Sequence, residues 1–353
     1  MIFDSIKRNF IAIITSCIAI LLVLWGLSLL LQGKTEILAH DNNMPLFQLV
    51  IGLFYGEFWL TVGAGASIII ITGILLYRIN EVHLFITDRE PLLAILFVSL
   101  ASAFSTTHYL LSIHPALLLT ILSINRLFYT YRRDYAFREV FMGALYISIA
   151  TLFYAPAIWF LLVFIICLSL MKPISLRDWL VIIAGIITPY IFALFYYYFA
   201  QGNWQIPFIL LAENLYIKHP SSFPEFSIAE WIYLVYSISI SLFAILRSLF
   251  LPALGTKIKT IRINNVFIWL FFISLFCCVF YPAEQSKENL ISITLPMSVL
   301  ISNFFSSIKT NFGANTFFVL LMLSIISIQL PNDFYTYILD IFESAKGFIC
   351  GLF

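Results

Sequence analysis

GKTEILAHDNNMPLFQLVIGLFYGEF, residues 33–58, lies between two long apolar runs, 10–31 and 58–77, and its reading decides the fold. It gathers Glu36, His40, Asp41, Asn42, Asn43 and Glu57 in a chain that is 62% hydrophobic and 10% charged. A soluble domain of ordinary composition carries about 25% charged residues, and the mean hydropathy here is +1.00. The flanking runs therefore read as membrane spans and 33–58 as the polar loop joining them. A run of about 21 apolar residues reaches across the hydrocarbon core of a bilayer at about 1.5 Å per residue. The first run follows MIFDSIKRNF, a basic opening like that of a leader peptide. It lacks a small-residue cleavage site and is long enough to span, so it is expected to remain as the first span.

Working outward, polar clusters divide the chain into apolar runs near 10–31, 58–77, 91–105, 115–131, 139–154, 156–171, 179–200, 229–249, 266–281, 290–306 and 316–330. Runs 139–154 and 156–171 are short and meet at Tyr154-Ala155-Pro156, which predicts a tight helical hairpin or helices extended into their flanks. The expectation is an all-α, polytopic integral membrane protein with about eleven transmembrane helices in one transmembrane domain, 1–353. No tandem repeat or soluble domain interrupts it.

Positive charge orients such a chain, because Lys and Arg concentrate in cytoplasmic loops. With the N-terminus inside, every inner loop is basic: Lys7 and Arg8, Arg78 and Arg89, Arg126 to Arg138, Lys172 and Arg177, Arg247 to Arg262, and Lys309. Only Lys34, Lys218, Lys287 and Lys346 fall outside, and the outer turns near 105–114 and 154–156 carry no basic residue. The acids lean outward, with Glu36, Asp41, Glu57, Glu213, Glu225, Glu230, Glu284 and Glu288 among them. The outer face is therefore where a site is expected. It holds the loop 32–57, a larger loop 201–228 whose IPFILLAENLYI segment reads as an interfacial helix, and a tail 331–353 that reads as an outer amphipathic helix.

Several classes are excluded or left without support. With a net charge of +1 and no basic domain, nucleic acid is not an expected partner. Five cysteines show no CxxC pair and sit mostly in apolar runs, where Cys packs as a small hydrophobe. There is no GxxxxGK[ST], GxGxxG, GxSxG or HExxH. Mid-span charges are nearly missing, which argues against an ion-coupled transporter. His108 and His114 in STTHYLLSIHP are six apart, which on a helix places them on different faces, so each is expected as a boundary histidine with a satisfied hydrogen bond.

The outer loop 33–58, with an acid-bearing turn, a short apolar segment after Pro45 and then a span, resembles the first outer loop of C-superfamily (GT-C-like) polyprenyl-phosphate-sugar glycosyltransferases. In those enzymes an Asp or Glu of this loop acts as base or positions the acceptor hydroxyl. The resemblance implies that role for Asp41, flanked by His40 and Asn42 as substrate contacts. Glu57 would assist it or hold a divalent cation. Tyr281 to Phe304, YPAEQSKENLISITLPMSVLISNF, resembles the segment in which these enzymes contact the lipid phosphate, with Lys287 as the cation and Glu284 beside it. Arg is the more usual residue there, since its planar fork grips phosphate bidentately. The stretch REVFMGALYISIATLFYAPAIWFLLVFIICLSLMKPISLRDWLVIIAGIITPYIF resembles their hairpins in layout. The chain is also similar to an uncharacterised bacterial family of polytopic membrane proteins encoded near polyprenol-phosphate mannose synthases, which implies mannose as the sugar. Membrane lipid, a polyprenyl-phosphate-linked sugar and an acceptor are the implied partners, and the bacterial inner membrane is the implied location. His40-Asp41-Asn42-Asn43 and Glu284-Lys287-Glu288 read equally well as solvated turns, and a lipid-carrier flippase or a membrane scaffold stands as the alternative.

Overall fold

A computed structural model describes residues 10–31, 44–54, 57–86, 91–104, 108–215, 226–250, 257–280, 283–308 and 311–330. Among them all regular structure is helical, in thirteen α-helices. In order these are α1 (Phe10–Leu31), α2 (Pro45–Leu53), α3 (Phe58–His83), α4 (Pro91–Ala101), α5 (Ile113–Tyr129), α6 (Phe137–Phe153), α7 (Ile158–Met171), α8 (Leu176–Gln201), α9 (Ile206–Leu215), α10 (Ile228–Phe250), α11 (Ile258–Phe280), α12 (Ala283–Ser307) and α13 (Asn311–Ile328). The helical preference follows from the composition. In hydrocarbon each backbone polar group must be satisfied within its own segment, and a helix achieves this with apolar side chains all round.

Each of the eleven apolar runs is occupied by a helix, while α2 and α9 fill the short apolar segments of the two long outer loops. Six helices are long and apolar enough to cross a membrane: α1, α3, α8, α10, α11 and, over Asn289–Ser306, α12. The protein is thus an all-α, membrane-embedded chain. Several helices outrun their apolar runs. α3 continues past Tyr77 through Arg78 and Glu81 to His83, and α11 starts at Ile258 with Lys259 and Arg262 in its first turns. Runs 139–154 and 156–171 form the tight hairpin. Tyr154 is extended, and one turn of 3₁₀ helix, Ala155–Ala157, reverses the chain between α6 and α7. Residues 33–43 and 55–56 of the first loop, residues 216–225 of the large loop and the tail 331–353 lie outside the described residues.

Two helices form the centre. Leu92 to Ala101 of α4 are all buried, between α1, α3, α12 and α13. In Asn289–Ser306 of α12, 83% of the residues are buried. At eleven residues α4 rises only about 16 Å, and the non-helical Ile86 before it and Ser102 to Phe104 after it are buried too, so their backbone needs partners inside the protein. At one end Asn80 donates to the Ile86 carbonyl at 2.9 Å and accepts from the Ile86 N–H at 2.8 Å. At the other, Gln329 donates to the carbonyls of Ser102 and Ala103 at 3.2 and 2.8 Å. Of the hydroxyls buried along α12, those of Ser292, Thr294 and Ser298 donate to carbonyls of their own helix three residues back.

Contacts between loops sort the helix termini into two ends. At the basic end Arg78 lies 4.4 Å from the Phe10 ring, and Arg126 pairs with Glu139 at 3.2 Å. Arg262 sits over Tyr131, and the Arg132 N–H donates to the Met171 carbonyl. His83 bridges Asn125 and Lys259, each at 3.2 Å. Lys172 and Asp178, both buried, pair at 2.6 Å, and Ser175 with Asp178 forms a capping box on α8. At the opposite end Met44, Phe47, Leu110, Ala155, Leu211 and Leu215 pack into one apolar cluster. Tyr154 donates to Asn289, and Trp25 stacks on His108. Apart from α2 and α9, which both lie at the opposite end, successive helices run alternately between the two ends.

Candidate functional site

The opposite end is assembled from pieces far apart in sequence. Pro45 opens α2 at its first position, where its fixed φ suits the helix and no N–H is wasted. α2 then packs on α6 through the Met44 and Phe47 cluster. Asn214 of α9 reaches the Met44 sulfur at 3.6 Å. Tyr190 of α8 stacks on Phe208 of α9 with rings 10° from parallel. The 3₁₀ turn at Ala155 is thereby covered by both short helices.

The expected site residues fall on this frame as follows. His40, Asp41 and Asn42 lie outside the described residues, immediately before Met44. Glu57 is exposed and occupies the N-cap of α3. Its N–H donates to the Phe54 carbonyl at 2.9 Å and its carbonyl accepts from Thr61 at 3.2 Å. Its carboxylate makes no capping bond, and negative charge at that position is favoured by the helix dipole. Glu284 and Lys287 lie in the first turns of α12; only their backbone is described. Asn289, two residues past Lys287, is fully buried, and its Oδ1 accepts from Tyr154. Its Nδ2 has no partner among the described residues. Among those residues no group of three or more His, Cys, Asp or Glu gathers to hold a metal.

A second polar group at this end was not expected. Residues 102–104 and 108–112 are not helical, so the spacing of His108 and His114 around a helix does not apply. The turn brings the two imidazoles within electrostatic reach of each other, each 2% exposed. His108 Nε2 donates to the Ser102 carbonyl at 3.1 Å. His114 Nδ1 accepts the Leu111 N–H at 3.3 Å. The second nitrogen of each ring, His108 Nδ1 and His114 Nε2, is buried with no partner among the described residues. Each histidine thus makes the one hydrogen bond expected of it and keeps a second, buried nitrogen open. Trp25 Nε1 and Ser102 Oγ are buried in the same condition, with the Trp25 and His108 rings 4.9 Å apart. Burial pushes the His108 imidazole down to about 4, against a smaller upward pull from the Ser102 carbonyl. The sequence signal was the density of polar residues in STTHYLLSIHP, which helix periodicity obscured.

No protein-family model, no curated protein and no solved structure matches the chain.

Proposed function

We propose that this chain is a membrane glycosyltransferase of GT-C-like architecture with about eleven spans, its basic end on the cytoplasmic side of a bacterial inner membrane. It transfers a sugar, with mannose as the first candidate, from a polyprenyl-phosphate carrier to an acceptor on the outer face. Asp41 orients the acceptor hydroxyl and takes its proton as oxygen attacks the anomeric carbon. The bond from that carbon to phosphate oxygen breaks, and polyprenyl phosphate leaves, its charge offset by Lys287. His40, Asn42 and Glu284 contact substrate, and Glu57 assists Asp41 or holds a divalent cation. Because the leaving group is already a phosphate, no nucleotide-binding loop is needed.

The supporting observation is the gathering at one end. Met44, three residues after Asp41, packs against Ala155, and the adjacent Tyr154 bonds Asn289, two residues after Lys287. The placement of buried charge favours a transferase over a flippase, which needs a charged path through the bundle. Among the described residues the buried charges are Lys172, Asp178 and Glu230, all at helix termini.

The test is complementation in the native host, comparing Asp41→Asn with wild type at matched membrane levels and scoring envelope glycans. Loss of a specific glycan is expected, with activity down by roughly 10²- to 10⁴-fold, the usual range for removing a general base. Wild-type glycans in the variant would sink the role of Asp41 and favour a flippase or scaffold.

A further inference from the structure

We propose that His108, His114, Trp25 and Ser102 form a buried binding site for one neutral hydroxyl group, held as donor to His108 Nδ1 and as acceptor from His114 Nε2–H. The four side chains are at most 3% exposed. Trp25 belongs to α1 and His114 to the first turn of α5, while Ser102 and His108 lie in the chain between α4 and α5. None belongs to the residues assigned to sugar transfer above.

The proton positions follow from the partners. A carbonyl only accepts, so the bond to Ser102 fixes the proton of His108 on Nε2 and leaves Nδ1 a bare lone pair. A backbone N–H only donates, so the bond from Leu111 fixes His114 Nδ1 as acceptor and places its proton on Nε2. The cluster thus offers one acceptor lone pair, two N–H donors from His114 and Trp25, and the Ser102 hydroxyl. The Gln329 bonds to Ser102 and Ala103 hold the turn that carries it.

This set selects its ligand. A metal cation would find a single nitrogen lone pair, with protonated donors around it. An anion would be matched by the donors and repelled by the lone pair of His108. An O–H group satisfies both at once, donating to one ring and accepting from the other. Burial also weakens His108 as a base, since an imidazole held at about 4 does not take a hydroxyl proton near neutral pH. The site binds the hydroxyl and does not ionise it. Two sources share this chemistry, a trapped water and an alcohol group of a larger ligand such as a sugar.

The experiment is magic-angle-spinning NMR on the full-length protein with ¹⁵N-histidine, in phospholipid bilayers. Five histidines give an assignable set. Both rings are expected as neutral Nε2–H tautomers, with an O–H proton correlated to His108 Nδ1 and to His114 Nε2. One arm contains water alone and the other adds ¹³C-labelled methyl mannoside. A water correlation unchanged by the sugar identifies trapped water. Its replacement by a correlation to a sugar carbon identifies the alcohol. His114→Gln, which keeps an N–H donor, should retain the correlation, and His114→Phe should abolish it; if the Phe variant does not insert, the wild-type spectra decide alone. A scalar coupling between His108 Nδ1 and His114 Nε2, a proton on His108 Nδ1, or no O–H correlation in either arm would overturn the proposal.

Discussion

At His108 burial and hydrogen bonding act on one proton in opposite directions, and burial wins. The ring sits at about 4 against an ordinary value of 6.5. An unfolded chain therefore binds more protons here than the folded one between those two values. Stability from this residue is complete above about pH 6.5 and is lost as the pH falls toward about 4. The thermal midpoint in detergent should drop over that window, and His108→Gln should flatten part of the drop. Parallel curves for the two proteins would remove His108 as the cause. None of this was legible from His108 and His114 as letters. Their surroundings depend on the Ser102 and Ala103 carbonyls being held by Gln329, which is more than two hundred residues away.

Helix packing in α3 turns on the difference between two glycines. A Cβ on Gly65 would lie 2.8 Å from the carbonyl carbon and oxygen of Tyr109, which are backbone atoms and cannot swing aside. A Cβ on Gly63 meets nothing within 4 Å. Gly65→Ala should destabilise by about 1–3 kcal/mol through overpacking. Gly63→Ala should be neutral or stabilising by up to about 1 kcal/mol through helix propensity. Thermal unfolding of the two variants side by side checks the sign, and equal shifts would mean that Tyr109 does not seat on Gly65. Gly185 of α8 makes the same close approach to the Phe141 carbonyl of α6, at 2.8 Å. The helices themselves were readable, because long apolar runs bounded by Arg, Lys, Pro and polar clusters leave the backbone little choice but to bond internally. Which glycines carry a neighbour was not, since Gly63 and Gly65 share one apolar context.

Across the molecule, the charge asymmetry of the loops and the contacts between them agree. Arg78, Arg126, Arg132, Lys172 and Arg262 meet at one end, and Met44, Leu110, Ala155 and Leu211 at the other. With the five native cysteines replaced, Arg133→Cys and Asn203→Cys should label with an impermeant maleimide from opposite sides of sealed vesicles, Arg133→Cys from the cytoplasmic side. Both residues are exposed, so labelling of the two from one side would break the proposed topology. The sequence by itself determined that this is an all-helical membrane protein. It also determined where the helices run, because hydrophobic length and the sign of loop charge are properties of consecutive residues. Only the tertiary structure decided that the short α4 lies buried at the centre with Asn80 bonding the Ile86 backbone and Gln329 the carbonyls of Ser102 and Ala103, and that Trp25, Ser102, His108 and His114 are buried with polar atoms left open. Those arrangements depend on contacts between distant segments, which a hydropathy pattern does not encode.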